Sequence, residues 1–157
     1  MKENTTSPSS RPERPNAVVV KGDSSAGFEV SINAAGHQLK GDEPPDQGGG
    51  GAGPNPYDFL AAALGSCTVM TLNLYARRKQ IPLQSVTARV WHSRIHARDC
   101  ADCETKTGMV DRLDRELVLS GELAADQRRR LLEIADRCPV HRTLQSEISI
   151  VTREVSD

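Results

Sequence analysis

Asn55-Pro-Tyr-Asp-Phe-Leu60-Ala-Ala-Ala-Leu-Gly-Ser-Cys67-Thr68 reads as the opening of a long helix, and the character of that helix decides the fold. Asn55 is a good N-cap. Pro56 suits the first helical position, where its missing N–H is not needed, and Asp58 in the first turn completes a near capping box. The helix is expected to run to about Gln80, because Ile81-Pro82 disfavours helical backbone before the proline. Leu60, Ala63, Leu64, Cys67, Met70, Thr71 and Leu74 recur at three-and-four spacing, so this face is predicted to meet the core. Ala61, Ala62, Ala63, Gly65 and Ser66 allow another element to approach closely. Gly65, about 1 kcal/mol worse than alanine in a helix interior, is expected to serve that contact. Such a helix belongs at the centre of a domain.

The flanking chain supplies strands on one side and a hairpin with a second helix on the other. Residues 1 to 15 are polar and rich in Pro and Ser, and read as a disordered leader to a single domain over 16–157. Ala17–Lys21, Gly27–Asn33 and His37–Lys40 are β-prone runs separated by turn signals, which predicts an antiparallel meander. Glu43–Pro54 is crowded with Gly and Pro and reads as a flexible loop, neither helix nor strand. It lacks the Gly-Lys-Ser/Thr ending of a phosphate cradle. Val86–Arg98 and Met109–Leu119 make a hairpin, with Val86, Ala88 and Val90 on one face, Trp91 and Ile95 on the other, and a polar tip over 99–108. A second helix is expected over about Ala124–Arg137. Leu131, Ile134, Ala135 and Cys138 share one face, Arg128, Arg129 and Arg130 are largely solvated, and Pro139 stops it. Ser146–Val155, with Ile148 and Ile150 alternating with polar residues, reads as a last strand. Strands clustered in this way, rather than alternating with helices, point to an α+β fold.

Bulk properties exclude several functions. Twenty basic and 21 acidic side chains give a net charge of −1, so nothing favours nucleic acid or an anionic membrane. No segment reads as approaching the roughly 20 apolar residues of a membrane span, and the N-terminal stretch lacks the apolar run of a signal peptide. A cytoplasmic location is the expectation. Four cysteines in such a chain point to redox or metal chemistry rather than to a disulfide framework.

Cys67 and Cys138 each lie on the apolar side of a predicted helix. Cys67 is about three turns in, beyond the reach of the helix dipole, so any activation must come from elsewhere in the fold. A thiol buried among apolar groups is ordinarily inert, whereas a second thiol within reach makes a redox couple. From the residues alone, a couple and two small core residues both stand. His141 and Arg142 follow Cys138 closely, and two readings stand for them: a source of positive charge near the thiols, or plain helix-end and surface residues. Cys100-Ala-Asp-Cys103, with His96 just upstream, offers three ligands to a soft metal such as zinc, one short of a closed site. An accessory dithiol and a plain turn are the other readings of that tip.

The segment Asn55–Thr68 resembles the first-cysteine helix of the OsmC/Ohr family, the osmotically inducible and organic-hydroperoxide-resistance proteins, and Cys138-Pro-Val-His-Arg-Thr-Leu144 resembles its second-cysteine segment. His96–Glu104 resembles a hairpin insertion of one branch. The resemblance, over roughly residues 17 to 155, implies two central cysteine-bearing helices packed against antiparallel sheets in an intertwined homodimer. It implies a thiol peroxidase that reduces organic hydroperoxides without metal or flavin and is restored by an external dithiol. Cys67 matches the peroxidatic cysteine and Cys138 the resolving one. In the family's peroxidases a Glu follows the Asn-Pro and pairs with an Arg from the N-terminal strands. Here Tyr57 holds that position, and no Arg occurs between Arg14 and Arg77. Activation or positioning is therefore expected from Asp58 and Arg142, with Lys21, Lys40 or a partner chain as other sources of a cation. The alternative is an OsmC-like protein that senses redox state or binds a ligand or metal, with little peroxidase activity.

Overall fold

Three short strands, β1 (Val19–Gly22), β2 (Val30–Ala34) and β3 (His37–Gly41), pair as the expected meander in the computed structural model, which describes residues 17–155. The leader expected over 1–15 lies outside the described residues. Val20 pairs with Ile32 and Ile32 with Leu39, so one face of this small sheet is apolar. Ala35 and Gly36 both take positive φ, 52° and 85°, as a tight primed hairpin turn requires. The Asn33 side chain accepts the Gly36 N–H at 3.1 Å and holds the turn.

The stretch after β3 is better ordered than its composition predicts. It contains one 3-10 turn, Pro45–Gln47, and winds around the buried carboxylate of Asp42. That carboxylate accepts the N–H groups of Ala52 at 3.0 Å, Glu43 at 2.8 Å and Gly50 at 2.9 Å. The bond from Ala52 leads in holding the Asp42 carboxyl below its ordinary value. A Cβ at Gly49 would overlap the Glu43 carbonyl, so the close winding requires glycine there. Because the native carboxyl titrates below the unfolded one, Asp42 contributes its stability fully above about pH 3.9 and loses it as pH falls from there through the lowered native value. Asp42→Asn is therefore expected to melt earlier than wild type at pH 7, with the gap narrowing toward pH 3. Thermal unfolding at both pH values checks this, and a pH-independent gap would contradict it.

Residues 17–56 and 57–155 fall in two separate units of contacts. The second holds α1 (Pro56–Lys79), β4 (Leu83–His96), β5 (Met109–Gly121), α2 (Ala125–Ala135) and α3 (Pro139–Leu144). In the β4–β5 hairpin Val86 pairs with Leu119, Ala88 with Leu117, Val90 with Arg115 and His92 with Leu113, so these eight residues share one face. Leu72 and Ala76 of α1 and Leu131, Ile134 and Ala135 of α2 form the core, with Val86, Leu117 and Leu119 packed against it. The apolar face expected of α2 is thus the face that is buried. Gly65 lies against the same sheet face, where an added Cβ would just touch Val90 at 3.4 Å. Gln127 accepts the Ala124 N–H at 3.0 Å and starts α2.

Three expectations need correction. The buried stripe of α1 is Leu64, Gly65, Thr68, Leu72 and Ala76, and of the stripe read from the sequence only Leu64 belongs to it. Leu60, Met70 and Leu74 are 44%, 69% and 47% exposed. The helix is apolar nearly all round, so spacing alone does not choose the side that meets the core. For the same reason α1 is, by length and composition, apolar enough to cross a membrane, contrary to the sequence reading. Residues 147–155 take no regular structure, and Ile150 is 85% exposed. An isolated strand has no ladder, and no described strand pairs with this one. As expected, Arg128 and Arg129 are exposed and Arg130 is partly so, and two of these arginines also tie α2 down. Arg128 donates to the Leu119 carbonyl at 3.0 Å, and Arg130 to the Tyr75 hydroxyl at 3.1 Å.

Candidate active site

Helix α2 ends sooner than its sequence suggests, and a turn through Asp136 and Arg137 makes Cys138 the N-cap of α3 rather than the last residue of α2. Pro139 then occupies the first position of α3, where its lack of an N–H does no harm. The Cys138 Sγ accepts the His141 N–H at 3.3 Å and is fully buried. Its other neighbour is Thr68 Oγ1 of α1, at 3.6 Å.

Thr68 is itself fully engaged. Its hydroxyl donates its single hydrogen to the Leu64 carbonyl at 2.7 Å and accepts from Arg115 Nη1 at 2.8 Å. With that hydrogen committed, the Cys138 S–H is the donor toward Thr68, using the second lone pair of the hydroxyl oxygen.

Arg115 joins the three elements around the thiol. Its Nη1 also reaches the Ala135 carbonyl at 3.2 Å, and its Nη2 meets Asp136 Oδ1 at 2.7 Å. The guanidinium side chain is only 11% exposed, whereas that of Asp136 is 66% exposed. The sequence reading missed Arg115, although a signal was present. Leu113, Arg115, Leu117 and Leu119 alternate along β5, so the arginine interrupts an otherwise apolar face. A charge at such a position must find partners inside, and here it finds three.

Cys67 is a free thiol, half-buried on α1. At 100° per residue it projects beside Thr68, toward the stripe of Leu60, Met70 and Leu74 rather than into the core of its own unit. Asp58 lies nine residues earlier, half a turn away from Cys67 around the helix axis and about 13 Å along it. It lines an open cleft of about 360 Å³ with Ala62, Gly65, Val69, Ala88 and Val90. Asp58 is therefore not brought to Cys67 within this unit. Tyr57 stacks on His92 with ring centroids 4.0 Å apart.

Lys40 pairs with Glu29 at 2.6 Å, and Lys21 and Arg142 are exposed. At the hairpin tip Cys100 and Cys103 form a disulfide with each other, which removes both sulfurs as thiolate ligands beside His96. Among the described residues, no cluster of three or more His, Cys, Asp or Glu side chains is placed to hold a metal ion.

The family model for OsmC-like proteins matches residues 48–153. No curated protein matches the chain significantly. Among solved structures it is similar to an OsmC-like protein from Mycoplasma pneumoniae, at 19% identity over 85% of this chain and 89% of that one, with a TM-score of 0.65. It is also similar to an organic hydroperoxide resistance protein from Legionella pneumophila, at 19% identity over 85% and 92%, with a TM-score of 0.60. A third, an organic hydroperoxide resistance protein from Elizabethkingia anophelis, is 18% identical over 82% and 86%, with a TM-score of 0.59. At these identities the likeness is one of fold.

Proposed function

Because this chain belongs to the OsmC-like protein family, we infer that it is a cytoplasmic, homodimeric thiol peroxidase that reduces organic hydroperoxides through Cys67 and Cys138. In the first step the Cys67 thiolate attacks one peroxide oxygen, the O–O bond breaks, and the alkoxide leaves as an alcohol after taking up a proton. Cys67 is then a sulfenic acid. In the second step the Cys138 sulfur attacks the Cys67 sulfur, its proton leaves with the departing hydroxide as water, and a disulfide forms. An external dithiol returns two electrons and two protons by exchange. Neither metal nor flavin enters this cycle.

The observation that carries the reading is the contact between Cys138 and Thr68, the residue next to Cys67, with Arg115 bonded to the same hydroxyl. Arg115 stands in for the arginine that the N-terminal strands of this chain lack. The apolar stripe around Cys67 supports an organic rather than a fully polar peroxide. In wild-type protein with dithiothreitol, cumene hydroperoxide is expected to be consumed over many turnovers and faster than hydrogen peroxide. Consumption no faster than in buffer with dithiothreitol alone would sink the proposal.

The homodimer is supported by apolar surface that the single chain leaves uncovered. Leu60, Met70 and Leu74 line one side of α1, and Ile148, Ile150 and Val151 lie on an unpaired segment. A second copy would cover the first and offer a ladder to the second. Sedimentation is expected to give a dimer for wild type and a shift toward monomer for Met70→Glu/Leu74→Glu. A wild-type monomer at tens of micromolar would refute the assembly.

A further inference from the structure

The hairpin tip carries sulfur chemistry that the peroxidase cycle does not use. Cys100 and Cys103 are joined with their Cα atoms 5.5 Å apart, and both residues are half-buried. We propose that this pair is a second redox site, a thiol–disulfide exchange centre that cycles with an external dithiol protein independently of Cys67 and Cys138.

Three observations carry the proposal. The first is that the crosslink has little to do as a staple. It joins residues three apart in sequence, and loop-closure entropy is small for so short a loop. The tip is already closed by the β4–β5 ladder up to the His96–Met109 pair, by the Ala97 N–H to Gly108 carbonyl bond at 2.8 Å and by the Cys100 N–H to Ala97 carbonyl bond at 3.1 Å.

The second is distance. Arg115 pairs with Val90 and the ladder ends at His96, six residues further, or about 20 Å along the strand. Cys138, gathered around Arg115, is therefore out of direct exchange range of the tip within one chain. The electrons must come from outside.

The third is access and charge. Asp99, Ala101, Asp102 and Glu104 around the pair are exposed, at the far end of a 14-residue strand where a folded partner can reach. Lys106 Nζ bonds the Cys103 carbonyl at 2.7 Å and places a cation beside that residue. Cys103 is therefore the better leaving sulfur, and an incoming thiolate attacks Cys100. The S–S bond breaks, Cys103 leaves as thiolate and takes a proton, and a mixed disulfide forms on Cys100. The second thiol of the partner then releases Cys100. Two electrons and two protons pass to the tip, and the partner is left as its disulfide.

The test uses the full chain carrying Cys67→Ser and Cys138→Ser, so that it reads the tip alone and does not depend on the peroxidase proposal. The protein is equilibrated at graded ratios of reduced to oxidised dithiothreitol, and alkylatable thiols are counted by mass. Two thiols are expected to appear together, in one two-electron transition, while the fold persists by circular dichroism. A thioredoxin-type dithiol protein should reduce the pair at least tenfold faster than glutathione at equal thiol concentration. With Cys103→Ser added, Cys100 should trap the oxidised partner as a mixed disulfide. A pair that stays unreactive while folded, or that remains reduced at every ratio, would overturn the proposal. So would stoichiometric zinc that blocks reoxidation. Equal rates with glutathione and with the dithiol protein would overturn the assignment of a protein partner.

Discussion

Cys67→Ser is expected to lower dithiol-dependent consumption of cumene hydroperoxide on the order of 10⁴-fold or more, because it removes the nucleophile of the first step. A serine hydroxyl at neutral pH is not a comparable attacker. The fold should be unaffected, since Cys67 is half-buried and faces the uncovered side of α1. Cys138→Ser should behave differently. It leaves the first step intact, so one equivalent of hydroperoxide per protein is still reduced, and the Cys67 sulfenic acid persists long enough to be trapped by dimedone. A single-turnover assay with mass detection of the adduct separates the two variants. If Cys138→Ser abolished the first equivalent and Cys67→Ser retained it, the roles of the two cysteines would be exchanged.

Arg115→Met is expected to cost about 2 kcal/mol of stability, because it strips charged donors from Thr68 and from the Ala135 carbonyl in a largely buried setting. For a unit of this size that is a fall in melting temperature of about 5–10 °C. Asp136→Asn should cost less than about 1 kcal/mol, since its carboxylate is 66% exposed and water replaces the lost pair. Arg115→Lys should not restore wild-type behaviour, because an ammonium cannot make the fork that reaches Thr68, Ala135 and Asp136 at once. In single-turnover experiments the disulfide between Cys67 and Cys138 should form about tenfold more slowly in Arg115→Lys. Thermal unfolding and the lifetime of the sulfenic acid are the two measurements. Equal stability of Arg115→Met and wild type would remove the guanidinium from the account of the site.

Much of the fold was legible because local chemistry and tertiary demands agree. The N-terminal meander, the hairpin, the start of α1 at Pro56 and the buried face of α2 all follow from turn residues, capping and alternation. The reading failed where a residue's environment is made by chain far away in sequence. Residues 43–54 look unstructured until Asp42 is seen to gather their N–H groups. Residues 147–155 alternate like a strand, yet a strand exists only with a neighbour to bond.

The candidate site divides the same way. Cys67 and Cys138 stood out as thiols on apolar faces, and the resemblance to a known family assigned them roles. Arg115 was passed over because a charged residue in a strand is ordinarily on the solvent side. The alternation of Leu113, Arg115, Leu117 and Leu119 was the one local sign of its side, and the bonds to Thr68 and the Ala135 carbonyl show what it meets there.

By itself, then, the sequence determined the type of most elements up to α2, the α+β class and the chemistry on offer, because propensity, capping and side-chain pattern are local properties. The tertiary structure alone decided which side of α1 is buried, since a helix apolar on all sides carries no preference of its own. It also decided that Thr68 meets Cys138, and that the cation beside them comes from β5. Those contacts join residues tens of positions apart, and nothing in either local stretch encodes them without the other.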